Sequence, residues 1–263
     1  MAAFTGSALK DVYKDILHTS NSNTGLSTSL KQITCGDGDG TSLKLSTNAM
    51  VCQPAADGVR AFQVEDKDGN DLLTVDTTND LVKLGVGQHI ANIQYSHFGI
   101  GSGDSVWAGA AAGTHYAVPF NGIANQALVS GDTGTDPATS FTLASTGDDM
   151  AACIWYVLDD ITVDRVVWFS GGDASTAEIT RAHLMYYTID TGNGSTSGDL
   201  SSGAVCASSS DIVNAGYEQT YYNQMTIGTA DIDAGKAMMF FFRADSTVNS
   251  DYTINATIKY HLR

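Results

Sequence analysis

Positive charge, proline and long apolar runs are all scarce in this sequence. Lysine and arginine total 13 against 29 aspartates and glutamates, a formal net charge of −16. Binding that tracks a phosphate backbone needs a basic stripe, so this deficit excludes it. No stretch approaches the 18 uninterrupted apolar residues of a membrane-spanning helix. Met1 to Lys10 lacks the basic segment, apolar core and small-residue cleavage site of a secretory leader, so none is expected. The four cysteines, Cys35, Cys52, Cys153 and Cys206, are widely spaced and form no C-x-x-C or zinc-like set. They read as free thiols of a reducing compartment. Charged residues are only 16 % of the chain, and 27 glycines stand against 3 prolines, with Ser, Thr, Asn and Asp abundant. That composition fits neither a disordered acidic tail nor a helical bundle. It reads as a turn-rich, mainly β protein, and 263 residues can bury a real core in one or two domains.

One helix is expected. Leu9, Val12, Tyr13, Ile16 and Leu17 recur at helical spacing between Ser7 and His18, with Ser7 as N-cap and the Asn21, Asn23, Gly25 region as stop. About three turns are marginal alone, so the stripe must dock on its own domain, on copies of itself or on another protein. From Ile33 to Val86 the period becomes two, broken by Gly, Asp and Asn turns. Phe62, Val64, Leu73 and Val75 flank Asp68-Gly69-Asn70, a hairpin in which glycine supplies φ > 0. Leu43 to Asn48 followed by Met50-Val51 is echoed by Leu73 to Asn79 followed by Leu81-Val82, 31 residues apart at Asn48 and Asn79. Repeated hairpins of this size have little core of their own and close it between chains.

The Gly- and Ala-rich stretch around Gly99 to Gly113 reads as a linker, and beyond Tyr116 the strands lengthen. Some alternate, while Met238-Met239-Phe240-Phe241-Phe242 is apolar on both faces, which points to a two-sheet sandwich of jelly-roll type. The expected organisation is a docking helix and polar segment over 1–30, an intertwined hairpin stem over 31–90, a linker over 91–113 and a C-terminal β-sandwich over 114–263. Through Gly87 there are 11 acidic and 7 basic residues, and the remainder holds 18 and 6, so the sandwich carries most of the acidity.

No catalytic set emerges. Asp66-Lys67-Asp68-Gly69-Asn70-Asp71 crowds oxygen ligands, yet an EF-hand loop wants Gly and Glu where Asp71 and Thr77 stand, so a tight turn is the better reading. Gly36-Asp37-Gly38-Asp39-Gly40 takes the same discount. Gly99-Ile100-Gly101-Ser102-Gly103 has neither the Lys-Ser/Thr ending of a phosphate loop nor a helix after a strand. Asp148-Asp149 and Asp159-Asp160 are adjacent, and on a strand adjacent side chains point to opposite faces, so neither pair supplies both acids of a glycosidase. There is no G-x-S-x-G or H-E-x-x-H motif, and the histidines are scattered, with His183 read as a satisfied, partly buried side chain. No metal or cofactor is implied. The aromatic lead is Trp107, Tyr186, Tyr187, Tyr217, Tyr221 and Tyr222, which lie in or beside polar, Gly/Ser-rich surroundings, as recognition platforms do. In the plainer reading, alternate members of each tyrosine pair are core.

The run from Phe62 to Asp76, F-x-V-x-D-x-x-G-x-x-L-L-x-V-D, resembles a phrase of tailed-phage fibre and virion-surface proteins, and residues 7 to 86 are similar to the amino-terminal part of structural proteins of marine and environmental phages. The resemblance implies a homotrimeric virion protein, assembled in bacterial cytoplasm, that attaches by its amino-terminal part to a major capsid or tail protein and presents a β-sandwich outward. The first expectation is therefore capsid decoration, a head fibre or cement. A tail-fibre adhesin that binds a host surface glycan or receptor is the alternative, and a capsule-degrading enzyme comes last because the acids are not arranged for it. Neither nucleic acid nor membrane insertion enters this reading.

Overall fold

The computed structural model describes residues 16–19, 24–101, 110–122, 129–142, 150–172, 177–215, 219–245 and 252–263. The chain divides into two units, Met1–Asn92 and Ile93–Arg263. Among the described residues the chain is mainly β: Met150 and Ala151 are helical, every named element is a strand, and all pairings are antiparallel.

In the first unit the strands are β1 (His18–Thr19), β2 (Lys31–Thr34), β3 (Gly40–Leu45), β4 (Met50–Cys52), β5 (Phe62–Glu65), β6 (Asp71–Asp76), β7 (Leu81–Leu84) and β8 (His89–Ile90). They form two four-stranded meanders, β1-β2-β3-β4 and β5-β6-β7-β8. The hairpin around Gly69 has Phe62 opposite Val75 and Val64 opposite Leu73. Gly69 takes φ 80°, and the Asp66 carboxylate accepts the backbone N–H groups of Asp68 and Asn70, so this acid closes a turn. Its hydrogen bonds to Asn70, side chain first, hold the carboxyl below its usual range.

The repeat seen faintly in the sequence extends over both hairpins of each meander. Cys35 N–H donates to Asp39 O and Gly38 N–H to Cys35 O; 31 residues on, Asp66 donates to Asn70 and Gly69 to Asp66. The second turns are each closed by a buried polar side chain at their first residue. Ser46 Oγ accepts from the Asn48 and Ala49 amides, and Asp76 Oδ1 from those of Thr78 and Asn79.

The expected helix falls almost wholly outside the described residues, which do not include Leu9, Val12 and Tyr13. Its described end is not helical: Ile16 and Leu17 have no assigned element, and His18–Thr19 pairs with Thr34 and Ile33. There the backbone hydrogen bonds go to the edge of β2, which ends any helical register before His18.

The second unit holds β9 (Ile93–Ile100), β10 (His115–Val118), β11 (Val129–Ser130), β12 (Trp155–Tyr156), β13 (Ile161–Gly172), β14 (Ile179–Ile189), β15 (Leu200–Ser208), β16 (Ile212–Val213), β17 (Gln219–Gln224), β18 (Thr226–Ile227), β19 (Asp231–Ile232), β20 (Lys236–Ala244) and β21 (Tyr252–Leu262). One sheet runs β11-β10-β20-β14-β15-β18, with β12 on β20 and β16 on β14; the other runs β17-β13-β21-β9, with β19 on β13. The expected 91–113 linker is corrected here. Its first part is β9, paired with β21 from Ile93 to Ile100, and Phe98 and Ile100 are core residues. Glycines at 99 and 101 misdirected the reading; Gly99 sits in the strand opposite Asn255.

Inner side chains of both sheets, among them Phe98, Trp168, Phe240, Phe242, Ile254 and Ile258, make one core between the layers. Trp168 packs against the rings of Phe240 and Phe242 at 6.3 and 6.0 Å. The five-residue apolar run of β20 is explained by a second core. Met238, Phe240 and Phe242 face the first, whereas Ala237, Met239 and Phe241 face a cluster with Val129, Met150 and Cys153 that covers the other side of the sheet. A central strand buried on both faces needs no alternation.

Candidate interaction surfaces

The first unit departs from ordinary burial. Among its described residues the buried ones are Thr34, Ser46, Thr74 and Asp76, all polar, and no apolar side chain joins them. In the second meander the pairing register places Phe62, Val64, Leu73, Val75, Val82 and Leu84 on one face. Phe62, Val64 and Leu84 are exposed, and the other three half-buried. Thr74 and Asp76 occupy the opposite face, where Lys83 Nζ lies 2.9 Å from Asp76 Oδ2. Burial pushes the Asp76 carboxyl up, but the bonds from Lys83 and Asn79 outweigh it and hold the group below its ordinary range. Asp76 is thus satisfied within the sheet, the buried Thr74 hydroxyl has no hydrogen-bond partner among the described residues, and the apolar side is left open. Met50, at 70 % exposed, and the half-buried Leu43 and Leu45 continue this habit in the first meander.

Of the aromatic residues singled out in the sequence, Trp107 and Tyr217 lie outside the described residues. Tyr187 is corrected from surface to core. It is fully buried, its hydroxyl donates to Ala138 O at 2.9 Å, and burial drives its pKa upward. Tyr186 packs against the first core from the other face of the same strand, as alternation requires. Tyr221 turns its hydroxyl to the Ala215 amide and Gln219. Among the described members of the set Tyr222 is the one prominently exposed, at 53 %, with its ring 5.4 Å from that of Phe169 and its hydroxyl accepting from Arg165 at 2.9 Å.

Two histidines missed as a pair meet inside the second unit. His115 and His183 are buried, with ring centroids 5.0 Å apart. His115 Nδ1 faces Asp132 O at 3.2 Å and His183 Nε2 faces Asp136 Oδ1 at 3.3 Å, so both tie down the 131–136 loop, as does Arg243 through Gly134 O. Burial, then the neighbouring His115, pushes His183 down to about 4, and burial likewise lowers His115. Asp136 raises both, and Arg181 and Arg243 lower both, so burial decides the outcome and leaves the pair neutral near pH 7. Among the described residues no three His, Cys, Asp or Glu side chains gather as a metal site.

A cleft of about 140 Å3 is lined by Gln94, Trp155, Tyr156, Asp159 and Tyr260, with Tyr260 donating to Gln94. Small-molecule sites run from roughly 300 Å3 upward, so this cleft takes at most a side chain or a sugar edge. No protein-family model matches the chain, and no curated protein matches it.

Proposed function

We propose that the chain is a homotrimeric structural protein of a tailed-phage virion. Its amino-terminal unit joins copies and attaches to the particle, and its second unit, a sandwich of jelly-roll type, is presented outward as capsid decoration, head fibre or cement. The observation that carries the assembly reading is the open apolar face of β5, β6 and β7 in a unit whose buried residues, among those described, are polar. Burying six half-exposed apolar side chains contributes roughly 5 to 9 kcal/mol per chain. That is comparable to the cost of association, so both meanders have to take part. The copy number of three and the virion setting come from the resemblance around Phe62 to Asp76, since an apolar face alone fits any cyclic closure. Self-association through this unit also accords with charge: through Gly87 the net is −4, against −12 for the rest, so copies meet where they repel least.

The test is light scattering on the full chain. The expected mass is three times the 27.6 kDa of one chain. Leu73→Asp should return it to monomers while the near-ultraviolet signal of the second unit persists, because an unpaired charge in an apolar contact costs several kcal/mol. A monomeric wild type would end the assembly reading. Electron microscopy of particles carrying the labelled protein tests the setting, and no copies on capsids would overturn decoration.

A further inference from the structure

We infer that the outward face of the five-stranded sheet is a binding surface for an anionic polysaccharide, carboxylated or sulfated. This goes beyond assembly and does not depend on it. Cross-strand rows define the face. Arg165 lies opposite Lys259, which lies opposite Tyr95; Val167, Thr257 and His97 form the next row; Phe169 stands between Tyr222 and Asn255. Their inward neighbours Val166, Trp168, Ala256 and Phe98 fill the core, so alternation turns this set out.

Charge is the first argument. Arg165 and Lys259 are directly opposite like charges, an arrangement that costs stability. No carboxylate among the described residues pairs with either one, although the sequence after Gly87 holds 18 acids. The two acids in this sheet's strands are engaged elsewhere, Asp164 with His261 at 2.9 Å and Asp231 with Thr162 at 2.7 Å. A local conflict of this kind, kept where a counterion would be easy to supply, marks a surface that meets anions from outside.

The second argument is shape and side-chain type. Tyr95, Phe169 and Tyr222 are 59, 43 and 53 % exposed, large apolar rings on an open face. From strand rise and spacing, Tyr95 and Phe169 stand about 16 Å apart. An open face of that span suits an extended chain, because small ligands need a concave site. Amide and hydroxyl groups between the rings, Asn255, Thr257 and Gln224, match sugar hydroxyls, and the rings match the apolar faces of sugars. Single-stranded nucleic acid also stacks on aromatic rings, but it is held in a positively charged groove that tracks its backbone, whereas Arg165 and Lys259 stand on an open sheet face.

Affinity electrophoresis of the full chain through gels containing polygalacturonate, chondroitin sulfate or neutral dextran tests this. Retardation by at least one anionic polymer and not by dextran is expected, weakening from 20 to 300 mM salt. Arg165→Gln with Lys259→Gln, and separately the near-isosteric Asn255→Asp, should each weaken it at least tenfold without lowering thermal melting. Retardation by neither anionic polymer, equal retardation of the variants and wild type, or stronger binding of oligo-dT than of either polysaccharide would overturn the assignment.

Discussion

Acidification from pH 7.5 to 4.5 is expected to cost the second unit about 2.5 kcal/mol through His183 alone. In the folded chain this imidazole is pushed from 6.5 down to about 4, chiefly by burial, with its side chain 3 % exposed. The unfolded chain therefore binds a proton that the folded chain refuses between those two values. The sign is fixed: stability is full above about pH 6.5 and falls as the pH drops towards 4, after which the loss levels off. Linkage gives about 1.4 kcal/mol lost at pH 5.5 and about 2.5 at pH 4.5. His115, lowered by burial as well, adds to the same trend. For a unit of this size that is a fall in melting temperature of about 5 to 10 °C. The assay is urea unfolding followed by tryptophan fluorescence at pH 7.5, 5.5 and 4.5, run in parallel on His183→Gln, which keeps a polar group beside Asp136 without titrating. Carboxylate protonation affects both proteins, so the difference between them isolates the histidine. If wild type and variant lose the same stability between pH 7.5 and 4.5, the reasoning about burial of this ring is wrong.

Three further outcomes follow from local geometry. Gly203→Ala should destabilise the second unit by about 1 to 3 kcal/mol in a chemical melt, because its Cβ would land on the Tyr187 ring and 3.0 Å from the Thr139 Cα, where backbone cannot give way. Asp76→Ala should cost the first unit about 1 to 3 kcal/mol, since the Thr78 and Asn79 amides lose their acceptor and Lys83 its partner; faster amide exchange over residues 71–84 is the measure. In the native protein iodoacetamide should alkylate exposed Cys52 and half-buried Cys35, and reach Cys153 and Cys206 only after unfolding, because both are buried and burial pushes the Cys206 thiol up to about 12.

Period-two alternation and turn chemistry were legible where side chains and backbone act locally. Phe62, Val64, Leu73 and Val75 define a hairpin because glycine at 69 allows the positive φ and Asp66 caps the turn. The paired tyrosines were half legible: alternation required one of Tyr186 and Tyr187 to face inward, but both end packed, because the sheet is covered on its second side. Gly99 misled because a glycine near the end of a strand resembles a break, and only the long-range pairing of β9 with β21 shows otherwise. The His115–His183 contact and the Arg165–Lys259 row join residues far apart in the chain, for which sequence offers no spacing signal.

By itself the sequence determined the class: few cations, few prolines, many glycines and short alternating segments leave a mainly antiparallel β chain with an acidic second part. It also determined the hairpin repeat, since a turn closed by Gly and Asp is decided within a few residues. Tertiary structure alone decided that β9 belongs to the sandwich, that β20 is buried on both faces, and that the hairpin unit turns its apolar side out while burying Thr74 and Asp76. Alternation says that two faces differ, but which face is covered depends on what else the chain brings to it.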